Sequence, residues 1–363
     1  MGSDNKHNSN SRLARRIPYL DALRVLACVL VLLVHGPILY NDAFYYHQDN
    51  LYAPFIVLIT VSSKLFFLIS GALLLPVTRP WREFLRRRLG VVLIPLILWS
   101  VIYLLEHAFL LHNFTPRLLV SILFHPVEGS LWFVYVMVVI YITMPLMTRV
   151  IQALGKRGVE AVLILWALSS FIPYQHGVFI EASQFSHNML SGFANYFGYV
   201  LLGYYLHHYP LPVFTRQHGW KFALLFIFGI VIVPLFEFTV QSHFGISWQQ
   251  HIDTVTSDIS INDVMMAVLL MSTAQRLCPQ RYDDGKPHRL SMVIMHISIC
   301  TYGIYLGHML ILRQIVWPAM CAWGGFGHWL PDGVLCSVLA FIITFAIMRL
   351  IYCLPFSKYI MGR

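Results

Sequence analysis

Apolar residues in this chain run in long, nearly unbroken stretches. Ten of them stand at about 19–40, 53–77, 89–111, 130–149, 158–174, 191–208, 220–239, 261–276, 291–313 and 332–353. Polar residues gather between these stretches and seldom alternate within them. An α-helix needs about 20 mostly apolar residues to cross a bilayer, because each residue advances it only about 1.5 Å. A transmembrane barrel would instead show short segments with a period of two. The pattern therefore predicts an all-α, polytopic membrane protein: a bundle of about ten transmembrane helices. The fifth and eighth stretches are short. The longest gap, 240–260, leaves no room for a soluble domain between spans. The expected organisation is a tail at 1–17, a transmembrane domain at 18–356 and a second tail at 357–363. The first stretch carries Arg24 and lacks a small-residue cleavage site, so it reads as a retained span.

Composition narrows the picture further. Apolar residues make up 58% of the 363, charged residues only 11%, and the mean hydropathy is +0.67. Soluble domains carry about 25% charged residues, so these charges are too few to cover a water-facing surface. Disorder is excluded too, since it needs low hydrophobicity. The six cysteines, Cys28, Cys278, Cys300, Cys321, Cys336 and Cys353, form no C-x-x-C pair. They read as packing residues, with no metal site expected.

The net charge of +9 would suggest nucleic acid in a soluble protein. Here its placement points to lipid topology, and no nucleic-acid partner is expected. With ten spans, 21 of the 25 Lys and Arg fall on one side, including Arg79, Arg82 and Arg86–Arg88 in the second connection. Only Arg117 and Arg313 fall on the other side, and Arg24 and Lys64 lie within spans. By the positive-inside rule both termini are cytosolic.

Ionisable groups inside a membrane cost about 2.5–3.5 kcal/mol each on insertion scales, so they usually line a cavity or meet a partner. Arg24 and His35 are eleven residues apart in the first span. Eleven residues are about three helical turns, so both side chains share one face, ~16 Å apart along the axis. Arg24 lies near the cytosolic mouth and His35 well past the middle. Snorkelling to headgroups is the plain alternative for Arg24, and a helix–helix hydrogen bond for His35. Asp21 is a natural i,i+3 partner for Arg24, or else a first-turn acid suited to the helix N-terminus. Lys64, mid-span, calls for a carboxylate such as Glu106 or Glu237.

The first span, Tyr19 to Gly36 with its Arg24-x10-His35 spacing, resembles the opening segment of the membrane acyltransferase-3 family. Phe66-Phe67-Leu-Ile-Ser70-Gly71 is similar to that family's Phe-Phe-x-x-Ser-Gly, and a basic stretch, Arg86-Arg87-Arg88, follows. Leu131-Trp132-Phe133 and Thr301-Tyr302-Gly303-Ile304-Tyr305-Leu306-Gly307-His308 resemble two further family segments, in the right order. The sequence looks most like the branch that modifies surface polysaccharides such as the enterobacterial common antigen. It departs from the pattern at Val91, where relatives often carry a second basic residue, and at Lys64, Ser130 and Thr301.

The resemblance implies transfer of an acyl group, usually acetyl from cytosolic acetyl-CoA, to a hydroxyl of an envelope polysaccharide or lipid-linked glycan. It also implies a bacterial cytoplasmic (inner) membrane location. His35 and Arg24 would then be the catalytic residues, His35 as general base on that hydroxyl or as the acyl-carrying nucleophile, and Arg24 beside the donor's path. Arg86, Arg87, Arg88 and Ser70 would contact the donor. Trp132, Tyr302, Tyr305 and His308 are the candidates for stabilising the oxyanion or meeting the acceptor, with Ser70 a further oxyanion candidate. Tyr45–Gln48, Tyr174–His176 and His243 to His251 offer aromatic and polar groups that suit sugars, though interface anchoring explains them as well. A transporter of an anionic or lipid-linked solute is the rival expectation, since a charged cavity among ten spans would suit that too.

Overall fold

In a computed structural model of the protein, the described residues are 16–40, 59–112, 114–122, 125–169, 189–212, single positions within 220–239, 261–279, 282, 289–325 and 329–362. Among them every regular element is helical. In chain order these are α1 (Pro18–Tyr40), α2 (Val61–Leu74), α3 (Trp81–Phe109), α4 (Pro116–Ser121), a 3₁₀ turn (Gly129–Leu131) and α5 (Trp132–Ser169). There follow α6 (Met189–His208), α7 (Ile261–Leu277), α8 (Arg289–Ile311), a π-helical turn (Leu312–Val316), α9 (Trp317–Trp323), α10 (Trp329–Tyr352) and α11 (Ser357–Met361).

Five segments are long and apolar enough to cross a membrane: Pro18–Pro37, Trp81–Phe109, Gly129–Leu168, Arg289–Trp323 and Leu330–Tyr352. The third holds two of the predicted stretches. It bends at Gly155, whose φ of 61° and ψ of −171° are not helical, and glycine takes that backbone geometry without a Cβ penalty. The predicted stretch at 53–77 contains the shorter α2, and 41–58 lie outside the described residues. So does most of 220–239, together with the polar–aromatic segments at 45–48, 174–176 and 243–251.

The outer surface of the bundle is apolar. On α3, Ile94, Ile97, Val101 and Leu105 are about half exposed, while Trp99, Tyr103 and Glu106 point inward and are buried. A helix that turns its aliphatic side outward and its polar groups inward suits lipid.

α1 is the hub, packed against α2, α7, α8 and α10. Its union with α10 is close: the Ser337 hydroxyl bonds to the carbonyls of both Leu32 and Gly333. α2 and α6 approach closer still. A Cβ on Gly71 would strike the Val200 backbone, and one on Gly203 would strike the Leu68 backbone. Small residues that let backbones meet drive helix pairing where lipid removes the hydrophobic incentive. Of the six cysteines, Cys28, Cys300 and Cys336 are buried, and Cys321 and Cys353 are exposed.

Candidate functional site

At the basic end of the bundle, α1 buries Asp21 completely. Its carboxylate accepts from Arg16 Nε at 2.9 Å and Nη2 at 2.6 Å, and from Arg24 Nη1 at 2.8 Å. Ser298 Oγ donates at 2.7 Å and Tyr282 OH at 3.0 Å. Burial, and the carboxylate beside it, push the Tyr282 phenol well above its ordinary range, so it remains a donor. The i,i+3 partner expected from the spacing is therefore present, and three more residues join it. Two guanidinium groups against one carboxylate leave a net positive charge, and Asp21 fixes where the Arg24 fork points.

Arg24 lines a cavity of about 210 Å³. Ser70 and Phe66 of α2, Arg88 and Val91 of α3, Phe133 and Tyr141 of α5, and Thr301, Tyr302 and Tyr305 of α8 share its wall. A second cavity of about 460 Å³ adjoins it and has Leu73, Leu74, Arg88 and Val91 in common with it. It adds Arg79 and Arg87, which both pair with Glu83. Arg88 stands at the junction. Val91 stands there too. Arg86 lines neither cavity.

Beyond the cavity, His308 is fully buried and His35 is partly exposed. Their ring centroids are 5.2 Å apart, and neither lines the cavity. Tyr305 links the two regions: it lines the cavity, and its ring centroid is 5.9 Å from that of His308. Phe66 and Phe133 pack around Tyr305 at 6.4 and 5.6 Å, closing that end with aromatic rings. Trp132 sits behind this wall against Tyr196 and Phe133.

The hydroxyls expected to face a reacting oxygen are engaged elsewhere. Ser70 Oγ donates to Phe66 O at 2.8 Å, Tyr302 OH to Val92 O at 3.0 Å, and Tyr305 OH to Ser130 O. A hydroxyl has a single hydrogen to give, so each would have to release its backbone partner before stabilising an oxyanion. Arg24 and Arg88 carry five N–H groups each and keep donors to spare at the cavity wall.

One expectation is corrected in part. Among the described residues the carboxylate on Lys64 is that of Asp263, and Glu106 is engaged elsewhere. Lys64 Nζ lies 3.1 Å from Asp263 Oδ2 and 3.0 Å from Thr60 O, and Thr60 Oγ1 donates to Asp263 Oδ1 at 2.9 Å. The tertiary pairing of α2 with α7 decides this. Glu106 instead lies at the far end of α3, bonded to Arg313 at 3.2 Å and Gln314 at 2.7 Å. Arg313 also reaches Glu128 at 2.6 Å. Glu237 lies outside the described residues. Among the described residues no group of three or more His, Cys, Asp or Glu could hold a metal ion.

The family model of the acyltransferase domain, acyltransferase-3, matches residues 17–349. The chain belongs to the acyltransferase-3 family. No curated protein and no solved structure matches it. The matched span takes in α1 to α9, the cavity wall from Arg24 to Tyr305 and most of α10. In this acyltransferase-3 domain several residues were not singled out by the sequence: Ser298 and Tyr282 on Asp21, Tyr141 at the cavity, Asp263 in a buried ion pair, and Glu128 and Arg313 in a part-buried one. Nothing in their local spacing marks them, because their partners lie 185 to 277 residues away or on another helix.

Proposed function

We propose that this membrane acyltransferase moves an acyl group, acetyl in the first instance, from cytosolic acyl-CoA to a hydroxyl of a cell-envelope glycan. In this reading it spans a bacterial inner membrane about ten times with both ends in the cytosol. It belongs with the branch of its family that modifies surface polysaccharides. The observation that carries the reading is the run of groups along one path. It starts at the Arg79–Arg87–Arg88 vestibule, passes Arg24 and ends at the Tyr305 wall, with His35 and His308 behind it.

Charge and size suit each stage. The phosphates of coenzyme A need cations and cannot enter lipid, so they stay at the vestibule. The pantetheine arm is thin enough for the cavity. Arg24 and His35, ~16 Å apart along α1, cannot both touch one reacting carbon, so Arg24 steers the arm and His35 does the chemistry. A neutral imidazole is suited to take a hydroxyl proton near neutral pH. For the thioester to reach His35, the Phe66–Phe133–Tyr305 wall must yield.

The test uses purified protein in proteoliposomes supplied with acetyl-CoA, with free thiol release as the readout and water as the hydroxyl. Acetyl-CoA consumption by the wild type and its loss in His35→Ala are expected. Substrate movement across the vesicle without thiol release would identify a transporter instead. Consumption that survives His35→Ala would remove the base assignment.

A further inference from the structure

Resting on the reading just given, we propose that His308 accepts the proton that His35 removes. The two histidines then form a relay, and His308 is not an oxyanion donor. The tautomer follows from a carbonyl. His308 Nδ1 lies 2.6 Å from Tyr305 O, and a carbonyl oxygen only accepts, so Nδ1 carries the hydrogen. A neutral imidazole has one N–H, which leaves Nε2 bare.

That bare nitrogen is buried and has no hydrogen-bond partner, in a side chain with no exposure at all. An unmet buried acceptor is destabilising. Such an atom calls for an explanation, and a partner gained at another stage of the reaction is one. Three polar groups of this region are committed elsewhere: Tyr103 OH to Leu306 O, Tyr305 OH to Ser130 O, and Glu128 to Arg313. Two rings pack against His308: His35 at 5.2 Å between centroids, tilted by 43°, and Tyr305 at 5.9 Å. In the proposed relay, rotation of His35 or one bridging water brings a nitrogen of His35 to Nε2.

The step balances. The acceptor hydroxyl gives its proton to His35, and its oxygen lone pair forms the C–O bond at the thioester carbonyl. The C–S bond breaks and its electron pair leaves on the CoA sulfur. The other N–H of His35 passes its proton to His308 Nε2, so His308 becomes an imidazolium. The proton returns through His35 to the sulfur, which departs as CoA thiol. His308 touches no substrate in this scheme and acts only through His35.

The experiment compares His308→Ala and His308→Phe with the wild type in the acetyl-CoA thiol-release assay, with and without added imidazole. Thermal stabilisation by CoA shows that each variant is folded. His308→Ala is expected to slow release by about 10²-fold, imidazole to restore much of the rate, and His308→Phe, whose ring fills the gap, to stay slow in imidazole. Wild-type rates in His308→Ala, or a slow variant that imidazole does not restore, would overturn the relay. His35→Ala reports separately on the base: if it stays active, the parent reading fails whatever His308 does.

Discussion

Arg24 and His35 share a face of α1, yet only Arg24 lines the cavity; Tyr305 stands between that space and the histidine pair. In the proposed mechanism this divides the work along one helix: donor contacts fall at the basic end and chemistry at the histidine end, with the aromatic wall between them.

Donor binding should depend on Arg88 far more than on Arg86, because Arg88 lines both cavities and Arg86 lines neither. Arg88→Ala is expected to raise the KM for acetyl-CoA several-fold, an effect that shrinks with added salt as screening grows. Arg86→Ala should leave KM near the wild-type value. Steady-state kinetics at two ionic strengths measures both.

The Tyr305 hydroxyl is bonded to Ser130 O, so Tyr305→Phe should change the rate by only a few-fold. Loss of a true oxyanion donor costs about 10²–10³ in kcat. Single-turnover rates of the variant separate these outcomes, and a fall of the larger size would return Tyr305 to the reacting centre.

Asp21 holds Arg24 in place, so Asp21→Ala should cost stability as well as donor affinity. Arg16 and Arg24 are part-exposed, so losing their charged hydrogen bonds should cost about 1.5–3 kcal/mol. A lower thermal midpoint in detergent, with a KM shift like that of Arg24→Ala, is the expected pair of results.

Lys64 and Asp263 form a buried pair away from the cavity. Either single change, Lys64→Met or Asp263→Leu, should destabilise by about 3–5 kcal/mol, and the double change should recover most of that. Activity per folded molecule should be unchanged throughout. Thermal melts and thiol release on the four proteins complete the cycle.

Gly71→Ala should weaken the α2–α6 contact by about 1–3 kcal/mol, since a methyl there meets the Val200 backbone with no side chain to move aside. Thermal melting in detergent reports it.

What the sequence determined by itself was whatever depends on neighbours along the chain. Continuous apolar runs foretold the helices. Eleven-residue spacing put Arg24 and His35 on one face, and three-residue spacing paired Asp21 with Arg24, because helical geometry repeats at fixed short intervals. Only the tertiary structure decided the pairings between helices. It gave Lys64 to Asp263 and Glu106 to Arg313, brought His308 against His35, and turned Arg88 toward the cavity but not Arg86. Those contacts arise from how helix faces pack, and in a chain whose apolar residues are nearly uniform along each span, no local pattern announces which face meets which.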